Sequence, residues 1–183
     1  MLKKVLLSSV LSLNLISSLN AYELNGDLNV KWTGFKGPTK IGVPGTFKDI
    51  KLSIEKNDDL SKFLQSANVT IRTNSLDSKL PMRDDNITST IFSLATAKEI
   101  KANIISIDEA KSELVLKVTM NQIEKAILMK YEKTNSDIVA KGTLEILNFG
   151  LSDSFAAFEK KCGPLHQMKS YSEVDIEFTL PYK

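Results

Sequence analysis

Apolar and polar residues alternate along most of the chain after residue 21. The segment 171–182 shows this most clearly, with acidic residues or Thr between four apolar residues: Val174, Ile176, Phe178 and Leu180. Such a period of two indicates a strand with one buried face. Similar runs predict strands at 22–35, 46–55, 67–76, 99–107, 113–120, 122–133 and 136–147. The chain therefore has about eight predicted strands.

The predicted strands follow one another at even intervals and are mostly joined by short turns, which favours antiparallel pairing. A flat sheet of this size would leave two edges exposed, whereas closure into a barrel removes them. We therefore predict an all-β fold, an antiparallel barrel of about eight strands with one or two short helices. A two-layered sandwich is the alternative, and pairing of the last strand with the first would distinguish the two folds.

One stretch in the middle of the chain departs from this alternation. Within 74–95, the residues Ile87, Ile91 and Leu94 fall at helical spacing. Pro81 precedes them, at a position where a first helical turn tolerates proline. We predict a short helix here that covers the curled sheet from its end or its side.

A second helix is predicted near the end of the chain. Ser152 or Asp153 would cap it, and Gly163 and Pro164 would end it. Its apolar positions are Phe155, Phe158 and Cys162. A capped run at 57–64 is a further helical candidate.

Residues 1–21 have the features of a signal peptide. Two lysines precede an apolar run at 5–16, and Ala21 offers a small-residue cleavage site. The run is too short and too rich in serine for a stable membrane span, so a retained anchor is the less favoured alternative. We expect export to the periplasm with cleavage near Ala21, which leaves one domain at 22–183.

Loss of the leader changes the charge of the protein. The whole chain has 24 basic and 22 acidic residues and a formal net charge of +2. Without Lys3 and Lys4, 22 basic residues face 22 acidic residues. A neutral domain has no overall attraction to nucleic acid or to an anionic membrane, so we expect no nucleic-acid partner. The single cysteine, Cys162, excludes an internal disulfide.

The sequence contains no recognisable catalytic motif. It lacks a Gly-rich phosphate loop, a G-x-S-x-G elbow and an H-E-x-x-H pair. Its one histidine, His166, has no nucleophile motif beside it. We therefore predict a protein that is not an enzyme and that uses no cofactor.

Several short motifs together resemble the YceI-like family. They are Ser75-Leu76-Asp77 followed by Arg83-Asp84, a short helix and Phe92; Val43-x-Gly45-x-Phe47; Gly142-Thr143-Leu144 before Phe149-Gly150; and Val174-Asp175-Ile176-Glu177-Phe178. Two positions depart from the family pattern: its usual glycine after Ser-x-Asp is Lys79 or absent, and its usual histidine after Arg-Asp is Asn86. The resemblance implies a periplasmic lipocalin-like barrel that holds a polyisoprenoid or another long-chain lipid. It leaves open a transient membrane contact and a homodimer.

The same resemblance implies that inward-facing apolar side chains surround a cavity, whereas alternation alone also allows a solid core. The candidate lining residues are Trp32, Phe35, Phe47, Ile50, Leu52, Val69, Ile71, Phe92, Ile104, Val118, Met120, Met129, Leu144, Ile146, Phe149, Phe155 and Phe158. The two methionines would suit contact with a flexible chain. Each methylene buried there contributes about 0.8 kcal/mol, so a lipid carrier or store would need no charged anchor.

Cys162 and His166 support an alternative function, a metal or redox-related periplasmic protein. Thiolate and imidazole are both good metal ligands. Two ligands alone rarely hold a metal, however, so a buried cysteine beside a surface histidine is the favoured interpretation and we predict no metal site. Nearby lysines could also lower the pKa of a redox-active thiol. A third alternative is a filled barrel that only recognises another protein.

Arg83 and Asp84 have two interpretations. They could contact the head group of a ligand, or they could lock their loop onto the barrel. The structural interpretation is favoured because an arginine is well suited to bonding loop carbonyls and carboxylates.

Overall fold

The predicted strands form one antiparallel sheet of ten strands. The computed structural model describes residues 21–95 and 97–183. The predicted signal peptide, apart from Ala21, lies outside the described residues. The strands are β1 (Asn29–Lys36), β2 (Ile41–Phe47), β3 (Ile50–Ser53), β4 (Asn68–Arg72), β5 (Leu76–Asp77), β6 (Glu99–Asp108), β7 (Glu113–Met120), β8 (Ile123–Lys133), β9 (Asp137–Glu145) and β10 (Glu173–Pro181).

The order of the strands is β3-β4-β6-β7-β8-β9-β10-β1-β2-β5. The last strand, β10, lies beside the first, and Trp32 of β1 stands opposite Ile176 of β10. This pairing is the one expected of a curled sheet and not of a two-layered sandwich. The prediction of an antiparallel, curled all-β fold is therefore confirmed as a strongly curled sheet, a half-barrel.

Ten strands replace the predicted eight because two predicted strands are each divided. The run 46–55 breaks at Lys48 and Asp49, and a short 3₁₀ turn separates β4 from β5. Across the break, the Lys48 amide donates to the Ser75 carbonyl at 2.9 Å, and the Arg72 amide donates to the Asp49 carbonyl at 3.1 Å. This bent hairpin connects the two end strands of the sheet, β3 and β5.

Three α-helices occur in the described ranges, each where the sequence offered a helical candidate, although the fold was predicted with one or two: α1 (Leu60–Gln65), α2 (Pro81–Ile87) and α3 (Ser152–Cys162). In α1, the Asp59 side chain caps the helix by accepting from the Lys62 amide. Helix α3 begins after Leu151 without a side-chain cap, so the predicted capping role of Ser152 or Asp153 was wrong. None of the helices in the described part of the chain is long and apolar enough to cross a membrane.

The middle helix has an irregular end that the sequence pattern did not predict. After Ile87, α2 continues as a π-helical turn, Thr88–Phe92. A π-helical turn contains more residues than an α-helical turn, so it shifts the face on which later residues lie. Ile91 is buried, but Leu94, expected on the same apolar face, is 62% exposed.

The helices lie at the two ends of the curled sheet. At the end where β1 begins and β10 ends, here called the lower end, Phe63 of α1 is fully buried. Its ring stacks on Tyr22 at 5.9 Å, and Tyr22 lies 5.5 Å from Tyr182. These aromatic side chains fill the lower end of the sheet.

At the opposite, upper end, α2 and α3 pack against each other and against the π-helical turn. The Lys161 ammonium of α3 joins them, because it lies 3.3 Å from the Asp85 carboxylate and donates to the Ser89 hydroxyl at 2.9 Å. The upper end is therefore covered by helices that pack against one another.

A glycine makes room for the only tryptophan. Gly45 of β2 stands opposite Trp32 of β1, and a Cβ atom built on Gly45 would lie 2.1 Å from Cζ2 of the indole. The indole N–H donates to the Thr46 carbonyl at 3.3 Å. The backbone of β2 therefore serves as the surface on which the indole packs.

We expect Gly45→Ala to displace the indole and to lower the free energy of unfolding by about 1–3 kcal/mol, because the added methyl has no space. Gly34→Ala is the matched control, since a Cβ there would meet Trp32 only at an ordinary contact of 3.9 Å. Urea unfolding followed by the fluorescence of Trp32 measures both. Equal stability of the two variants would contradict this packing.

Candidate ligand-binding cavity

Two apolar cavities lie inside the curled sheet. The upper cavity has a volume of about 170 Å³ and lies beneath the helices of the upper end. The lower cavity, of about 110 Å³, lies deeper between the strands. The combined volume approaches the lower limit of about 300 Å³ for ligand pockets. The inner face of the sheet therefore encloses space that its own side chains do not fill.

The two cavities adjoin, because the same five apolar side chains line both of them: Trp32, Phe47, Ile100, Leu144 and Ile176. They come from β1, β2, β6, β9 and β10, which are spread across the sheet. We call this set the neck. Movement of these side chains would join the two cavities into one channel.

Most of the predicted lining residues lie at these cavities. Those at the upper cavity are Trp32, Phe35, Phe47, Phe92, Met120, Leu144, Ile146, Phe155 and Phe158. Those at the lower cavity, besides the neck residues, are Leu52, Val69, Ile71, Ile104, Val118 and Met129. The strands and both upper helices thus bring together residues distant in sequence.

Two predicted lining residues do not line either cavity. Phe149 is fully buried in a 3₁₀ turn before α3 and belongs to the solid part of the core. Ile50 lies at the start of the end strand β3, directly after the bend, and faces its neighbour Ile71. The alternation predicted their burial but not which buried side chains border empty space.

Other lining residues lie outside the predicted set, and among them Arg83 had a ligand contact as one of its two interpretations. Those at the upper cavity are Gly34, Lys36, Val43, Leu76, Arg83, Ile87, Ile91, Ile100, His166, Tyr171, Val174 and Ile176. Those added at the lower cavity are Leu28, Val30, Ala67, Ala102, Asn103, Leu116, Glu177, Phe178 and Leu180. The alternation of β10 could have identified four of these residues from the sequence, because all four apolar residues of that strand line a cavity.

The upper cavity has one polar end. Lys36, Arg83, His166 and Tyr171 line it, and each of them is partly exposed. Within the described residues, neither Lys36 nor Arg83 has a carboxylate partner. The polar end therefore presents two unneutralised cations to the cavity.

The environment of the histidine at this end favours its neutral form. Burial lowers the pKa of His166, and the charges of Lys36 and Arg83 lower it further. Its Nδ1 is 2.8 Å from the Ser170 hydroxyl, and its ring lies 5.6 Å from that of Phe158. His166 thus contributes a polar, uncharged group beside the two cations.

The thiol of Cys162 is not activated. The side chain is buried, and this burial raises its pKa, against a smaller opposing effect of Lys161 and then Lys36. Lys161 acts in the expected direction, but burial outweighs it, so the prediction of a lowered thiol pKa was wrong. In the described residues, no group of three or more His, Cys, Asp or Glu side chains is placed to hold a metal ion.

Two aspartates fix the loop between β5 and α2. Asp77 accepts from the amide and the ammonium of Lys79, at 3.0 and 2.7 Å. Asp84 accepts from the amide and the hydroxyl of Ser78, at 2.9 and 2.5 Å. Asp84 thus has the locking role, whereas its neighbour Arg83 lines the cavity.

Comparison with known proteins identifies the family. The model of the YceI-like domain matches residues 17–181. The chain belongs to the YceI-like family. This is a family of non-catalytic binding proteins, so the prediction that the protein is not an enzyme is confirmed. No curated protein matches the chain.

Solved structures show the same fold. A polyisoprenoid-binding domain from Saccharophagus degradans, implicated in plant cell wall breakdown, matches with a TM-score of 0.60 at 14% identity, over 89% of this chain and 98% of that one. Burkholderia cenocepacia BcnA matches with a TM-score of 0.59 at 16% identity, over 84% and 95%. A mutant Campylobacter jejuni YceI protein matches with a TM-score of 0.54 at 17% identity, over 76% and 83%.

The locked loop predicts an acid dependence of stability. Hydrogen bonds from Lys79, then the charge of Lys48, lower the pKa of Asp77 from 3.8 to about 2. Because the folded-state pKa lies below the unfolded one, the ionised carboxylate stabilises the fold above pH 3.8, and this contribution is lost as the pH falls towards 2.

We therefore expect Asp77→Asn to be less stable than the parent at neutral pH and to approach the parent at the acid end of that window. Thermal unfolding across the window measures this, with the exposed Asp27→Asn as control. A constant difference between Asp77→Asn and the parent at every pH would refute the assignment.

Proposed function

We propose that the protein binds one long-chain apolar ligand, a polyisoprenoid, an isoprenoid quinone or a fatty-acid-type lipid, along its two cavities. It would act as a periplasmic carrier or store. The observation that supports this most is the pair of adjoining apolar cavities inside the curled sheet. The Saccharophagus degradans relative is described as a polyisoprenoid-binding domain, which favours the isoprenoid class.

Binding would work by exclusion of water. Each methylene that passes from water into an apolar cavity contributes about 0.8 kcal/mol, so a chain of ten such groups would gain about 8 kcal/mol before the costs of ordering. No charged anchor is needed for the tail. Flexible lining side chains such as Met120 and Met129 can adjust to its path.

The helices of the upper end would act as the cover. Arg83, Ile87 and Phe92 reach the upper cavity from α2 and its π-helical extension, and Phe155 and Phe158 reach it from α3. A ligand that enters at this end would pass the polar end of the cavity, beside Arg83 at the start of α2 and His166 after α3. The contacts of Lys161 with Asp85 and Ser89 are exposed, and exposed pairs of this kind are weak enough to open.

Export of the chain is part of this proposal. Residues 1–21 carry the signal-peptide pattern, and an exported protein with one cysteine must fold without an internal disulfide. A barrel with a hydrophobic interior suits transport across an aqueous compartment, because the lipid tail is shielded from water throughout.

The metal or redox alternative has less support. Its two residues, Cys162 and His166, gain no third ligand among the described residues, and burial disfavours the thiolate form. The alternative of a filled barrel is disfavoured by the unfilled space on both sides of the neck.

Ile176→Trp should abolish ligand retention, because an indole at the neck would occupy the place where the two cavities meet. Native mass spectrometry of the purified protein measures the bound mass. Lys31→Trp, on the exposed side of the same pair of strands, is the control and should retain the ligand. The proposal fails if the parent carries no lipid and takes up no hydrophobic probe, or if Ile176→Trp binds as the parent does.

The polar end gives a second prediction. We expect Arg83→Met to weaken binding of a fluorescent fatty acid about tenfold, because a charge-assisted contact with its carboxylate is lost. Binding of the corresponding fatty alcohol should be unchanged, since the apolar cavity stays intact. Fluorescence titration compares the two probes, with the exposed Lys125→Met as control. Equal losses for acid and alcohol would show that Arg83 supports the cavity instead of a head group.

A further inference from the structure

Three exposed segments surround the polar end of the upper cavity. They are the β1–β2 turn at 36–41, the start of α2 at 79–83, and the segment 165–169 after α3, and together we call them the collar. The Gly37 amide donates to the Lys169 carbonyl at 2.9 Å, which joins the first segment to the third. Arg83 places the second segment beside the other two, because it lines the same cavity as Lys36 of the first segment and His166 of the third.

The collar exposes large apolar side chains. Five of the nine exposed large hydrophobic residues in the described chain lie in it: Ile41, Leu80, Met82, Leu165 and Met168. Met168 is the most exposed of all, at 78%. Apolar side chains concentrated around one opening indicate a contact surface, whereas scattered single ones do not.

The collar is also strongly basic. Its sixteen residues contain five cations, Lys36, Lys40, Lys79, Arg83 and Lys169, and no acidic residue, although residues 22–183 as a whole are neutral. Lys40 pairs with Glu173 and Lys79 with Asp77, both from outside the collar. In the described part of the chain, the other three cations have no carboxylate within ion-pair distance.

The acidic residues closest in sequence are already engaged. Asp84 follows the collar directly, and the uncharged Ser78 groups that bind it do not cancel its charge, so it offsets one of the three unpaired cations and leaves two. Glu173 and Asp77 are paired with collar lysines. The free charge of this surface is therefore positive, and a negatively charged partner complements it.

We propose that the collar docks on an anionic lipid surface. Basic residues beside a membrane are attracted to anionic head groups, and long apolar side chains next to them insert at the interface. Exposed Leu and Met combined with unpaired Lys and Arg match both features of such a surface. The inference also deepens the proposed function, because a cavity that opens within the docking surface would exchange its ligand without passing it through water.

The test uses residues of the collar that do not line the cavities. Leu165→Ser with Met168→Ser removes apolar insertion, and Lys169→Glu reverses one unpaired charge. We expect each variant to bind vesicles of phosphatidylcholine with about one quarter phosphatidylglycerol about tenfold less than the parent. Binding of the parent should fall with added salt and with vesicles of phosphatidylcholine alone. Co-sedimentation of the purified protein with the vesicles measures all of these.

Matched control variants lie outside the collar. Leu128→Ser with Ile105→Ser removes two other exposed apolar side chains, and Lys125→Glu reverses another exposed charge. Both should bind vesicles as the parent does. Equal vesicle binding by collar and control variants would overturn the proposal. The proposal is also overturned if a collar variant binds vesicles as the parent does but differs from it in oligomeric mass in solution. The collar would then be a contact with a second copy of the chain.

Native mass spectrometry on the same variants separates this proposal from the proposed function. The collar variants should retain their ligand, since Leu165, Met168 and Lys169 do not line either cavity. Loss of vesicle binding with retained ligand supports the docking surface. If the parent protein binds vesicles but carries no ligand, the docking surface is supported and the carrier function is contradicted.

Discussion

The apolar inner face of one curled sheet is the constraint on which the rest of the structure depends. The single sheet has no second layer to cover this face, so it must curl until its first and last strands pair. The curl removes the face from water without bringing all of its side chains into contact. At the lower end Phe63 and Tyr182 fill the interior. Above and below the neck, two cavities are left.

A bend in a strand, a glycine and a hydrogen-bonded loop maintain that curl. The bend at Lys48 and Asp49 divides one long hairpin, so that its strands lie at both ends of the sheet. Gly45 lets the indole of Trp32 lie flat against the neighbouring strand, where any side chain would collide with it. Asp84 holds the loop before α2, and this places Arg83 at the opening. In the motif at 75–92 that resembles the family, Asp77 and Asp84 therefore have an architectural role. Its other residues Leu76, Arg83 and Phe92 line the upper cavity.

The sequence pattern predicted the strands well because burial of one face imposes a period of two, and each predicted strand lies where the structure has one. It did not predict the π-helical turn after Ile87, since the departure from α-helical spacing is decided by packing against α3. The cavity was harder still. Phe149 and Met129 are equally buried and equally apolar, yet only Met129 borders empty space, because that depends on the distance between opposite walls. No local pattern encodes such a distance.

A ligand-bound structure tests the central claim most directly, because the claim concerns space inside the sheet. Crystals grown with a long-chain isoprenoid alcohol should show its tail running from the opening near Arg83, past Trp32 and Ile176, into the lower cavity. The neck side chains should move apart to admit it, while the strands keep their pairing. Density for the alcohol only on the outer surface, with the interior unchanged, would contradict the account.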